Sequence, residues 1–185
     1  MTMLRHAVPA DVPAIRSLID ASVRGLNAGR YTDAQVEESL VSVFGVDSQL
    51  LADGTYYVIT DGGAVVAAGG WSRRTTLYGG DQVKRDEADP LLDPATDAAR
   101  IRAFYVAPTH ARRGLARRLY LACEDAAVQA GFHRFQLGAT LPGVPLYEAL
   151  GFRAVERADF AMPSGALLPI IRMERNLPAA VDRTR

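Results

Sequence analysis

The sequence predicts a single mixed α/β domain, and three observations predict it. Strand-like apolar runs alternate with segments of helical period along the 185 residues. A strand, a short turn, a long amphipathic helix and another strand stand together at the centre of the chain. The composition, 49% hydrophobic and 23% charged, is that of a globular protein long enough to bury a core without disulfides or a structural metal. One domain is expected over residues 1–177, followed by a flexible tail over 178–185.

A short first strand is expected over residues 3–7. Asp11 then stands as an N-cap with Pro13 in the first turn, where a missing amide costs nothing. Ile15, Leu18, Ile19, Ser22 and Leu26 share one face of the helix that follows. Thr32 and Gln35 have the spacing of a capping box, and Val36, Leu40, Val43 and Phe44 give a second helix its apolar face. Residues 56–60 and 64–71 are strand-like and are joined by Asp61, Gly62 and Gly63, which suit the tight turn of a hairpin.

Residues 72–98 carry Gly79, Gly80, Pro90, Pro94 and many charges with little periodicity. A loop of that length inside a compact domain is often functional. The next strand spans 99–106 and ends before Pro108. Leu115, Leu119, Ala122, Cys123, Ala126 and Ala130 form the apolar stripe of a helix over about 114–130, with Gly131 as its stop. A strand over 135–139, a short helix over 144–150 closed by Gly151, and strands over 152–160 and 169–176 complete the order.

Several function classes are disfavoured. Cys123 is the only cysteine, and neither it nor His6, His110 or His133 stands at ligand spacing from another such residue, so no metal site is expected. The 21 basic and 21 acidic residues cancel, which removes the bulk attraction a nucleic-acid binder would use. No apolar run approaches the roughly 18 to 20 residues of a membrane span, and the first residues lack a secretory apolar core, so no membrane association and a cytoplasmic location are expected.

The chemistry concentrates where the 99–106 strand hands over to the long helix. Pro108, Thr109, His110, Ala111, Arg112 and Arg113 form a short loop, and Gly114 and Ala116 open the helix. First-turn amides have no partner inside a helix, and the helix dipole adds positive potential there, so this end favours an anion such as a pyrophosphate. Arg112, Arg113, Arg117 and Arg118 stand at the same point and can neutralise phosphate charge. The alternative is a plain tight turn beside a solvated basic face. Neither GxGxxG nor GxxxxGK[ST] is present, so the dinucleotide fingerprint and the P-loop do not describe this site.

A second segment, GATLPGVPLYEALGFRAVER, adds a strand, a short helix with Tyr147, and Gly151 and Phe152 leading into another strand. Together with VAPTHARRGLARRL it resembles the GNAT superfamily of acetyl-CoA-dependent N-acetyltransferases over at least residues 99–160. The resemblance implies a GNAT fold, with a central mixed, twisted sheet of about six to seven strands flanked by about four helices. Its loop-to-helix motif, Q/RxxGxG/A, falls on Ala111, Arg112, Arg113, Gly114, Leu115 and Ala116, with Arg117 following. Ala111 departs from the usual Gln or Arg, but a grip made by backbone amides survives that change.

The resemblance also implies roles around the thioester. Val106 would offer backbone groups to the acetyl carbonyl and pantetheine arm, its amide acting as oxyanion donor. Tyr147 would protonate the departing thiolate, a phenol of ordinary pKa about 10 against a thiol near 8.5; the alternative is a core tyrosine. Thr140 stands where the family often has Asn, as a cofactor contact. Arg102 replaces an acid the family often carries, and is read either as a contact for an anionic group on the acceptor or as the partner of a structural acid. Asp81, Asp86, Glu87 and Asp89 are remote candidates for a base.

Acceptor contacts are expected at Tyr31 and at Trp71, with Ser72, Arg73 and Arg74 after it; packing is the competing role for both aromatics. Cys123 is expected in the core rather than as a nucleophile. The function implied is acetyl transfer to a primary amine of a small molecule, amino acid or peptide N-terminus, without metal or covalent enzyme intermediate, and a homodimer is compatible with the family. Two other readings stand beside it: a non-catalytic acyl-CoA-binding or sensing module, kept open by Arg102, and an RNA-contacting module built on ARRGLARR, which the neutral overall charge disfavours.

Overall fold

The computed structural model describes residues 1–27, 29–83 and 89–178. In chain order its strands are β1 (Thr2–His6), β2 (Tyr56–Asp61), β3 (Ala64–Ser72), β4 (Ala99–Val106), β5 (Arg134–Thr140), β6 (Arg153–Ala161) and β7 (Leu167–Asn176). The helices are α1 (Val12–Leu26), α2 (Asp33–Ser42), α3 (Ser48–Ala52), α4 (Leu115–Gln129) and α5 (Val144–Ala149). All seven strands join one sheet in the order β1-β2-β3-β4-β5-β7-β6. The β4–β5 pair is parallel and the other neighbours are antiparallel.

Period-two alternation divides the core between the two sheet faces. Val58 and Ala68 pack with Ile15, Leu18 and Ile19 of α1, Val36 of α2 and Leu50 of α3. Tyr57, Ile59 and Ala67 face the other way, against Leu115, Leu119, Tyr120 and Cys123 of α4 and Tyr147 of α5. The hairpin, the long helix and the capping box are where the sequence places them. In that box Gln35 N–H donates to Thr32 Oγ1 at 3.2 Å, and Thr32 N–H donates to Gln35 Oε1 at 2.9 Å.

One expectation needs correction, and one helix carries no sequence signal. Asp11 stands at the N-cap position of α1 but makes no side-chain cap there. Its carboxylate instead accepts from Val8 N–H at 2.8 Å and takes both Arg5 guanidinium nitrogens at 2.7 Å, a stronger charge-assisted pair. The helix α3 has no legible period, because five residues give no full apolar repeat; Asp47 caps it, accepting from Gln49 N–H at 3.2 Å and Leu50 N–H at 3.4 Å. Of the expected tail, residues 179–185 lie outside those described.

Two local features set up the site. β4 pairs with β5 only at Ala99↔Phe135 and Arg100↔Gln136, so the remainder of the two strands splays apart. A bulge in the β3–β4 ladder between Ala68 and Gly70 places Ala103 at φ 55° and turns β4 as it approaches the gap. On α1, a Cβ added at Gly25 would lie 2.5 Å from Pro108 Cγ, so glycine there lets the β4–α4 loop press against the helix.

Candidate active site

A cavity of about 860 Å³ opens where β4 and β5 part. The N-terminus of α4 and its preceding loop line one end; α1, Phe44 and residues 77–80 line the other. The loop has the backbone form of an anion nest. Arg112 at φ 63° and Gly114 at φ 78° alternate with ordinary backbone and curl successive amides toward one side. Among the described residues the amides of Arg112, Arg113, Gly114, Leu115, Ala116 and Arg117 have no backbone acceptor, and Arg118 N–H is the first to find one, Gly114 O at 3.0 Å. A Cβ built on Gly114 meets nothing within 4 Å, so the space in front of the nest is open.

The strand edge supplies a second donor. Ala107 N–H donates to Val66 O on β3 at 2.9 Å. Strand alternation therefore turns the Val106 amide the other way, into the gap. There it donates to Ser22 Oγ on α1 at 3.3 Å.

Tyr147 borders the same cavity from α5, set edge-on to Phe152 at 5.6 Å between ring centroids and tilted against Phe104 at 6.4 Å. Burial first, then the proximity of Cys123 and Tyr105, pushes its phenol well above the ordinary value of 10. The hydroxyl therefore remains a proton donor throughout the neutral range. Thr140, at the end of β5, lines the cavity beside Gly143, and His110 lines it from the loop.

Comparison with known families decides what this arrangement belongs to. The profile of the acetyltransferase (GNAT) family matches residues 22–152. The chain belongs to that family. Solved structures with the same fold include a GCN5-related N-acetyltransferase from Rhodopseudomonas palustris, 20% identical, with 96% of each chain covered and a TM-score of 0.68. The yncA protein of Salmonella typhimurium with acetyl-CoA is 20% identical over 99% of each chain, TM-score 0.62. The Paia N-acetyltransferase of Thermoplasma acidophilum in complex with coenzyme A is 12% identical over 95% of this chain and 99% of that one, TM-score 0.64. A search of curated proteins found no match.

The GNAT domain brings together most of the residues singled out from its motifs. Val106, Ala111, Arg112, Gly114, Leu115, Ala116, Arg117, Thr140 and Tyr147 all border the cavity. Arg113 is exposed beside it without lining it. Arg118 turns away, donating to Thr2 O at 3.3 Å and Thr2 Oγ1 at 3.0 Å, so the basic cluster is smaller than the sequence suggests.

The acceptor-side residues are placed otherwise. Tyr31 is buried outside the cavity lining; its hydroxyl donates to Pro169 O at 2.7 Å and accepts from Leu141 N–H at 2.9 Å, fastening the start of α2 to β7 and to the end of β5. Trp71 packs in the core on the α4 face, edge-on to Phe132 at 6.0 Å, because its register partner Ile101 faces the same way. Arg102 borders the cavity but is almost wholly buried, and its guanidinium is taken up by the protein: it pairs with Asp47 at 2.8 Å and donates to Thr76 O at 3.1 Å and to Gly79 O. This is the structural pairing rather than an open anion contact.

Arg74, expected near the acceptor, is held by Asp53 at 2.7 and 2.9 Å. Asp81 accepts from Ser48, and Asp89 from Thr75 and Thr76, while Asp86 and Glu87 lie outside the described residues. The cavity is also lined by residues not singled out for the site from the sequence, including Ser22, Asn27, Arg30, Phe44, Tyr78 and Tyr105. Of these, Ser22 carried a legible signal, a hydroxyl within an apolar helical stripe. Among the described residues, no group of three His, Cys, Asp or Glu side chains is placed to hold a metal, and no helix is long and apolar enough to cross a membrane.

Proposed function

We propose that this GNAT domain transfers an acetyl group from acetyl-CoA to a primary amine of a small molecule, amino acid or peptide N-terminus, by direct attack with both substrates bound. The observation that carries the reading is the continuity of one cavity from the amide nest at residues 112–117, past the Val106 amide, to Tyr147. A diphosphate suits the nest, where unpaired N–H groups, the helix dipole and the adjacent Arg112 and Arg117 act together. The thioester would then lie in the β4–β5 gap, with its carbonyl toward Val106 and its sulfur toward Tyr147.

The amine lone pair attacks the carbonyl carbon, and the C=O electron pair moves onto oxygen beside the Val106 amide. As the carbonyl re-forms, the C–S bond breaks and its electron pair leaves on sulfur, which Tyr147 protonates. No Asp or Glu among the described residues lines the cavity, so the proton of the amine is assigned to water. The pairing of Arg102 with Asp47 accounts for that arginine without a non-catalytic acyl-CoA module.

Thermal stabilisation that saturates with acetyl-CoA, together with thiol release on addition of one or more amines from a panel, is the expected result. Absence of coenzyme binding would overturn the proposal, and binding without transfer to any amine would favour the sensing module. Cys123 is fully buried, and burial pushes its thiol well above the ordinary value, so it does not contribute to the thiol signal while the protein is folded.

A further inference from the structure

We infer that Ser22 is a second hydrogen-bond donor to the carbonyl oxygen undergoing attack, so that the oxyanion site of this enzyme is made by β4 and α1 together. The inference rests on the acetyl-transfer reading above, and four observations support it. Ser22 lies in the third turn of α1, among the apolar residues that bind the helix to the sheet, yet it borders the cavity. It is only 6% exposed, so its hydroxyl is not there to meet bulk water. Its Oγ accepts the Val106 amide, a strand-edge donor turned into the gap. Finally, its own proton has no acceptor among the described residues.

That last point sets Ser22 apart from other helix serines. Ser17 donates to Pro13 O at 3.2 Å, Ser39 to Val36 O at 2.7 Å and Ser42 to Glu38 O at 2.8 Å, the usual return of a helical hydroxyl to its own backbone. Ser22 makes no such bond among the described residues. A buried hydroxyl that accepts one hydrogen bond and keeps its proton for the cavity is suited to a ligand acceptor.

For both donors to serve one atom the Val106–Ser22 contact must open: the carbonyl oxygen takes the place of Ser22 Oγ on the Val106 N–H, and the hydroxyl turns about χ1 to donate to that oxygen. In the transfer step the carbonyl π pair becomes the oxyanion lone pair, held by Val106 N–H and Ser22 O–H. When the C=O bond re-forms the pair returns and the thiolate leaves. Ser22 keeps its proton throughout, so no proton balance changes.

The test compares the wild-type enzyme with Ser22→Ala, Ser22→Cys and Ser22→Thr. Infrared spectra of bound acetyl-CoA carrying a ¹³C-labelled thioester carbonyl should show the stretch at higher frequency in the Ala and Cys variants, because a donor has been removed, and near the wild-type position in Thr. In steady-state assays kcat should fall on the order of 10²-fold for Ala and Cys, with the KM for acetyl-CoA little changed and partial recovery in Thr. Cys keeps a γ atom at this position while weakening the donor, so a cavity defect in Ala alone does not mimic this pattern. An unchanged carbonyl stretch overturns the assignment even if stability falls. Faster turnover in Ser22→Ala also overturns it, since the hydroxyl would then be a plug on the Val106 amide. Failure of the wild-type protein to bind acetyl-CoA brings down the transfer reading and this one with it, whereas binding with an indifferent stretch removes Ser22 alone.

Discussion

Arg102 Nη2 lies 2.8 Å from Asp47 Oδ2, and both side chains are closed to solvent. The pair ties β4 to the N-terminus of α3, while the same guanidinium holds the carbonyls of Thr76 and Gly79. Arg102 and Gly79 both border the cavity, so the ion pair fixes one wall of the cleft. Asp47→Asn, which keeps the α3 cap, should destabilise the fold by about 3 to 5 kcal/mol, because Arg102 is left buried and uncompensated. Arg102→Met combined with Asp47→Asn should cost less than the sum of the two single changes. Urea unfolding of the three variants measures this coupling.

Under the proposed mechanism, in which the phenol protonates the leaving thiolate, Tyr147→Phe should lower kcat on the order of 10²-fold while leaving the dissociation constant of acetyl-CoA nearly unchanged. Burial lifts the phenol above 10, so in the wild-type enzyme this group should cause no fall in rate between pH 6 and about pH 9. A pH–rate profile and a coenzyme titration of both proteins check the two statements.

Gly114 sits at φ 78° with open space before it, so Gly114→Val both strains the backbone and fills the nest. We expect a loss of at least 10-fold in acetyl-CoA affinity, with a stability loss of about 1 to 2 kcal/mol. Gly165, at φ 85° in the β6–β7 connection, provides the control: Gly165→Val should lose similar stability and no affinity. Calorimetric titration with thermal melts separates the two effects.

Arg112 adopts φ 63° with an ordinary side chain, a conformation that costs about 1 to 2 kcal/mol relative to the right-handed region. Arg112→Gly should leave the protein equally stable or more stable, by up to about 1 kcal/mol, and weaken acetyl-CoA binding severalfold through the lost charge. The opposite directions of Tm and affinity are the signature to look for.

Asp53 supplies the pH dependence. Hydrogen bonds from Arg74, outweighing burial, hold its carboxyl below the ordinary carboxylate value. A lowered folded pKa contributes stability above the unfolded value near 3.9, and that contribution is lost as pH falls through the folded value. Asp53→Asn should therefore be less stable than wild type at pH 7, by about 1 to 3 kcal/mol, and the difference should shrink on acidification below that range. Thermal melts of both proteins from pH 7 to pH 3 test it.

What the chain revealed in advance follows the range of each interaction. The α4 stripe, the capping box and the glycines of the hairpin are local signals, and the nest at residues 112–117 is one too. The fates of Tyr31 and Trp71 were not legible. Tyr31 is decided by carbonyl and amide partners 138 and 110 residues away, and Trp71 by the register of β3 against β4. Arg102 was legible as an anomaly, a cation in a buried strand, but its partner Asp47 caps a helix too short to show a period. The acceptor wall draws on α1, the segment after α2 and residues 77–80, which only the folded sheet brings together.

The press of Pro108 into Gly25 joins two parts of the protein that the proposed reaction assigns to different molecules. The same helix carries Ser22 and the acceptor wall, while the proline begins the loop that leads to the nest. A bulkier residue at position 25 would wedge these apart as one lever, and its harm would register for donor and acceptor alike. If α1 receives the amine as proposed, evolution of a new amine preference along it is constrained from behind: the helix can change the side chains it shows more freely than it can change where it rests.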